Sequence, residues 1–187
     1  MSLEQMAKDM QNCTRCGLAN GRTNLVFGVG NPKATLMIIG EGPGQDEDKQ
    51  GLPFVGRAGQ LLDRILAAID LTREEVYIAN VVKCRPPNNR VPTREEAKAC
   101  LPYLYRQIEL VQAKIIVLLG NTALQNLISP AATITRTRGQ WLESKSGIKI
   151  IASFHPAAVL RDPQKRRPVW EDFQMVREEY RRLMSNS

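Results

Sequence analysis

Ile38-Ile39-Gly40-Glu41-Gly42-Pro43-Gly44-Gln45-Asp46-Glu47-Asp48 is the stretch from which the fold can be read. With Leu36 and Met37 it begins as a short continuous apolar run, the pattern of a strand buried on both faces of a parallel sheet. It then breaks into a glycine-rich acidic turn, where Gly40, Gly42 and Gly44 free the backbone for sharp turns and close approach to a ligand. In open α/β folds, polar side chains just past the carboxyl end of such a strand line the ligand crevice. A solvated turn is the alternative reading of one such loop.

Three further apolar runs repeat the pattern, at Val76 to Val82, Ile115 to Gly120 and Ile148 to Phe154. Helical spacing fills the intervals. Leu61, Leu62, Ile65, Leu66 and Ile69 recur within Arg57 to Ile69, and Phe173, Val176, Tyr180 and Leu183 share one face of Trp170 to Met184. Thr93 with Glu96 makes a capping box that opens a helix carrying Cys100, with a kink or break expected at Pro102. Thr72 with Glu75 resembles a second such box, and Asn121 is expected to cap a short helix through Ile128. Leu3 to Asn12 reads as a short amphipathic helix, residues 18 to 33 as irregular chain, and 129 to 147 as a loop with Arg136, Arg138 and an extended piece around Trp141. Strands alternating with helices predict a three-layer α/β/α fold around a four-stranded parallel sheet. With 187 residues and no repeat, linker or low-complexity tract, a single domain over 1–187 is expected.

The chain carries 26 Lys plus Arg against 19 Asp plus Glu, a formal charge of +7, which favours a polyanionic partner. No apolar run approaches the roughly 18 residues of a membrane span. Glu4, Lys8 and Asp9 keep the amino terminus from reading as a signal peptide, so a cytoplasmic location without a membrane partner is expected. Four cysteines occur, Cys13, Cys16, Cys84 and Cys100, and a reducing compartment disfavours disulfides. Their number suits a closed metal site with Cys13-x-x-Cys16 as its amino-terminal half, either a cubane iron–sulfur cluster or structural zinc. Ordinary buried thiols are the competing reading.

Glu41, Asn80 and His155, the sole histidine, each follow or end an apolar run, so a parallel sheet gathers them at one edge. Asn80 is either a satisfied structural amide or a reader of a ligand edge, and Phe54, in the apolar patch Gly51 to Gly56, is either a core plug or a stacking platform.

Gly40-Glu41-Gly42-Pro43-Gly44 with Glu47, Asn80, His155-Pro156 and the four cysteines resembles the family 4 uracil-DNA glycosylases, the iron–sulfur type, over Cys13 to about Arg161. The resemblance implies a four-iron cluster on Cys13, Cys16, Cys84 and Cys100. It also implies removal of uracil from single- or double-stranded DNA, with free uracil and an abasic site as products. On that reading Asn80 reads the base edge, Phe54 stacks on the flipped ring, and the backbone of Gly42, Pro43 and Gly44 lines the pocket. His155 donates to the uracil O2. Glu41 is the first candidate for stabilising the sugar cation and orienting water, with Glu47 the second. Val159 and Leu160 are the expected wedge. Arg161, Lys165, Arg166 and Arg167, with Arg85 and Arg90, are expected to hold phosphates. In family 1 relatives an aspartate stands beside the first carboxylate position and a tyrosine shields the pocket, where this chain has Gly42 and Gly44. A monomer is expected, with a sliding clamp as a candidate partner. The alternative from another class is a catalytically silent nucleic-acid module with a structural metal, against which Glu41, Asn80 and His155 together weigh.

Overall fold

In the computed structural model, which describes residues 1–187, the sheet has six strands: β1 (Val29–Gly30), β2 (Leu36–Gly40), β3 (Tyr77–Asn80), β4 (Ile115–Leu119), β5 (Leu142–Glu143) and β6 (Lys149–Ser153). The four apolar runs supply β2, β3, β4 and β6, and these lie parallel in the order β3-β2-β4-β6. The expected parallel sheet is therefore the centre of a larger mixed one. Two-residue strands β1 and β5 add antiparallel edges against β3 and β6. Every residue of β2, β3 and β4 is buried, which is why their sequences are continuously apolar rather than alternating.

Eight helices accompany the sheet: α1 (Leu3–Met10), α2 (Gln45–Gln50), α3 (Arg57–Ala68), α4 (Arg94–Val111), α5 (Asn121–Leu127), α6 (Ile134–Thr137), α7 (Pro156–Arg161) and α8 (Arg166–Ser185). The chain steps from β2 outward to β3, then crosses back over β2 to β4 and on to β6. Right-handed crossovers put α3 on one face of the sheet and α4 and α5 on the other. Helix α7 packs on α3, and α8 packs on β6. Leu62 and Leu66 of α3, Leu104 of α4 and Phe173 and Val176 of α8 join the strands in one apolar core. The direction of the connections reverses between β2 and β4. At that reversal the loops leaving the two strands part to opposite faces and leave a crevice.

Four local expectations are corrected. The acidic turn is not all turn: α2 begins at Gln45, with Glu47 reaching back to the Gly44 N–H and three acids, Asp46, Glu47 and Asp48, in the first turn, where the helix dipole favours them. Helix α4 runs on through Pro102, which is exposed, so that water can satisfy the carbonyl one turn earlier. Asn121 does not cap α5. Gly120 holds that position, and the Asn121 Oδ1 accepts from the Ile134 N–H at 2.8 Å instead. The last helix begins earlier than the expected Trp170: α8 starts at Arg166 and takes in Arg166 and Arg167.

Candidate active site and four-cysteine centre

A cleft of about 610 Å³ opens at the carboxyl ends of the parallel strands and is lined by Glu41, Pro43, Glu47, Thr122, His155 and Arg161, among others. Glu41 follows β2 and Thr122 follows β4, so the two face each other across the connection reversal. The Thr122 Oγ1 donates to the Glu41 Oε2 at 2.5 Å, fixing the carboxylate. Neither composition nor spacing singled out Thr122. The signal was nonetheless present, because Leu119-Gly120-Asn121-Thr122 repeats the strand–glycine–polar order of Ile39-Gly40-Glu41.

His155 leaves β6 and stands at the N-cap of α7, where its Nδ1 accepts from the Ala157 N–H at 3.0 Å. An accepting Nδ1 carries no proton, so in the neutral ring the proton sits on Nε2, which is left free to donate. Burial, aided by the positive charge of Arg161, pushes the imidazole down to about 4, so it is neutral at physiological pH. Gly120 sits in the left-handed region at φ 89°, and a side chain there would lie 3.2 Å from the His155 Cβ. Beneath the end of β6, Ser153 donates to Asp172 at 2.6 Å and Arg138 grips the same carboxylate. This ties the strand that delivers His155 to α8.

Phe54 and Asn80 lie below the cleft, 5% and 2% exposed. A side chain on Gly40 would lie 2.6 Å from the Asn80 Oδ1 and 2.6 Å from the Phe54 Cζ, so only glycine lets the carboxamide and the ring meet beside Glu41. Phe54 holds a left-handed backbone at φ 54°, a strained conformation for an aromatic residue. Arg73 donates to its carbonyl at 2.7 Å, a support the sequence did not flag. The rings of Phe54 and His155 stack with centroids 5.4 Å apart and planes 26° apart. The Asn80 Oδ1 is one of the few buried polar atoms with no hydrogen-bond partner. A buried acceptor left orphaned costs stability, which makes this oxygen a candidate ligand contact.

The remaining candidates separate. Gly42, Pro43 and Gly44 line the cleft. Both oxygens of Glu47 are engaged, accepting from the Gly44 N–H at 3.2 Å and the Gly56 N–H at 3.0 Å, so this carboxylate clamps two loops. Val159 is 3% exposed and packed in the core, which removes it as a wedge; Leu160 is 37% exposed. Arg161 faces the cleft. Lys165 pairs with Asp162 and lies over the Phe154 ring, and Arg166 borders a separate groove with Leu61 and Trp170. Arg167 is exposed and pairs loosely with Glu171. Arg90 is held by Glu96, whose carboxyl this contact pulls down to about 2, and Arg85 donates to Asn89.

Cys13, Cys16, Cys84 and Cys100 line a single cavity on another side of β3, together with Arg15, Arg22, Lys83 and Tyr103. None is in a disulfide. Arg22 donates to the Cys84 Sγ at 3.4 Å and to the Cys13 carbonyl at 2.7 Å, and the Tyr103 hydroxyl donates to the Cys13 Sγ at 3.6 Å. No three His, Cys, Asp or Glu side chains stand close enough together to grip one metal ion. Three cationic side chains, Arg15, Arg22 and Lys83, border the cavity that the four sulfurs share. No helix is long and apolar enough to cross a membrane.

Residues 27–174 match the model of the uracil DNA glycosylase superfamily. The chain is 46% identical to a type-4 uracil-DNA glycosylase of Archaeoglobus fulgidus over 95% of its own length and 92% of the relative's. It is 45% identical to a type-4 enzyme of Sulfurisphaera tokodaii, covering 95% of this chain and 84% of that one. For a type-4 enzyme of Thermotoga maritima the identity is 46%, over 94% and 93%. With a family match across most of its length and such relatives end to end, the chain belongs to the uracil-DNA glycosylase superfamily, in its type-4 branch.

Proposed function

We propose that this protein removes uracil from DNA, hydrolysing the N-glycosidic bond to leave free uracil and an abasic site, with residues 1–187 working as one domain. The observation that carries the reading is the orphaned Asn80 Oδ1. Uracil offers a donor at N3 and an acceptor at O4. The Asn80 Oδ1 accepts from N3–H while its Nδ2 donates to O4, and cytosine, with both polarities reversed, leaves the buried amide unpaired. Mismatched pairing of that kind discriminates by as much as about 10⁴ to 10⁵.

The flipped base stacks on Phe54. The His155 ring lies 5.4 Å from that of Phe54, and its free Nε2–H donates to the uracil O2. As the glycosidic bond stretches, negative charge collects on O2, and the neutral His155 donor stabilises it without having to lose a charge of its own; a donor of this type contributes about 3 kcal/mol. Glu41, oriented by Thr122, faces the sugar as it becomes cationic and holds the attacking water. Glu47 acts one step back, holding the Gly44 and Gly56 loops that shape the pocket. Leu160 fills the gap left by the extruded nucleotide, and Arg161 meets the backbone phosphate.

Cys13, Cys16, Cys84 and Cys100 would hold a four-iron cluster, and their iron–sulfur bonds would then join the amino-terminal segment to the Cys84 loop and to α4. Structural zinc, with the four thiolates about 2.3 Å from one ion, is the alternative guest of the same residues.

Release of uracil from U:G, U:A and single-stranded oligonucleotides tests the activity. Glu41→Gln and His155→Ala are each expected to slow single-turnover release by 10² or more. Binding of uracil-containing and normal DNA alike, with no base released, would restore the silent-module reading.

A further inference from the structure

Lys83 is completely buried, 0% exposed, and no carboxylate accompanies it. Its Nζ donates to two neutral acceptors, the Asn80 carbonyl at 2.9 Å and the Gln107 Oε1 at 2.5 Å. Gln107, itself 0% exposed on α4, is locked in that orientation because its Nε2 donates to the Phe27 carbonyl at 2.8 Å and approaches the Tyr77 hydroxyl at 3.3 Å. An ammonium held in an apolar interior without a counter-charge is strongly disfavoured. The same lysine lines the cavity of the four cysteines. Four thiolates around a metal cluster carry net negative charge, and that is the counter-charge the rest of the surroundings lack.

Building on the cluster reading above, we infer that Lys83 is a positioning residue that couples the four-cysteine centre to the base-reading amide. Its ammonium neutralises the centre from inside the fold, and its bond to the Asn80 carbonyl fixes the end of β3 from which the carboxamide projects. Asn80, Lys83 and Cys84 lie within five residues of chain, so a displaced centre moves the lysine and, with it, the reader. The centre and the pocket are then one unit, and the cluster has a part in uracil recognition without touching DNA or moving an electron.

The test uses the purified, cluster-loaded protein and Lys83→Met, which keeps the length and apolar stem but loses the charge. Iron and sulfide content, cluster reduction potential, the half-time of iron loss to a chelator, and kcat and KM for uracil release are measured on both. The inference expects the Lys83→Met potential to shift to more negative values, because a positive neighbour that favours the reduced centre is gone. Iron loss should be about tenfold faster or more, the usual cost of losing an outer partner of a metal site. Because the group that Lys83 holds reads the base edge, KM should rise and kcat/KM fall, and Lys83→Arg should recover part of the potential. A structural packing role alone would not move the potential. If Lys83→Met fails to fold, Gln107→Glu supplies the ammonium with a competing carboxylate and should shift the potential the same way. An iron-loaded Lys83→Met with unchanged potential and unchanged iron loss overturns the inference and leaves the cluster reading standing. Wild-type protein without iron or sulfide overturns both.

Discussion

Replacing Thr122 by Val removes the one hydroxyl that holds Glu41 and keeps the side-chain shape. The lost contact is a short hydrogen bond to a carboxylate, 2.5 Å, between a buried hydroxyl and a half-buried acid. Bonds to charged groups contribute about 1.5 to 3 kcal/mol, and at about 1.4 kcal/mol per factor of ten this corresponds to a 10- to 150-fold loss. The loss should fall on kcat and spare KM, because Glu41 faces the sugar and water rather than the base edge. Single-turnover release from a uracil-containing oligonucleotide, read as alkali-labile strand breaks, measures it directly. Thr122→Ser restores the donor and should stay within a few-fold of wild type. In a Glu41→Ala background the Thr122→Val change should add almost nothing, since its target is gone. If Thr122→Val is as fast as wild type, or if the two changes multiply, the hydroxyl does not act through Glu41.

Asn80→Asp should relax the rejection of cytosine and slow uracil release, checked by comparing release from matched U and C oligonucleotides; unchanged selectivity would move base reading elsewhere. The pH profile follows from His155. Its folded value near 4 lies below the ordinary 6.5, so the folded protein resists a proton that the unfolded chain accepts. The stability this supplies is complete above about 6.5, begins to fall below it and is gone once pH has dropped through about 4. Thermal melts of wild type should therefore show a decline over that window that His155→Gln lacks, and release by wild type should show no inflection near 6.5. Leu160→Ala should leave stability within about 0.5 kcal/mol and slow release from duplex more than from single strands, whereas Val159→Ala should cost about 2 kcal/mol of stability and leave the strand preference unchanged.

The four central strands and the gathering of Glu41, Asn80 and His155 were legible because continuous apolar runs ending in glycine and polar residues have one common reading in an α/β chain. What was hidden has physical reasons. The edge strands β1 and β5 are two residues each and carry no periodicity to detect. Helix α2 was concealed because its cap, Gly44, has no side chain to announce it. Val159 and Leu160 are alike in sequence, and only the orientation of α7 decides which is buried. Thr122, Arg73 and Lys83 act through hydrogen bonds that reach across 81, 19 and 24 residues, and no local pattern encodes a partner that distant.

Uracil recognition rests on one unpartnered oxygen, the Asn80 Oδ1, accepting from the N3–H of an extruded uracil. Product inhibition reads this contact alone: uracil and 3-methyluracil are compared as competitors of oligonucleotide cleavage, since methylation removes the N3 donor. Uracil is predicted to inhibit at least about tenfold more strongly, the cost of leaving a buried acceptor unpaired. Equal inhibition by the two would contradict it.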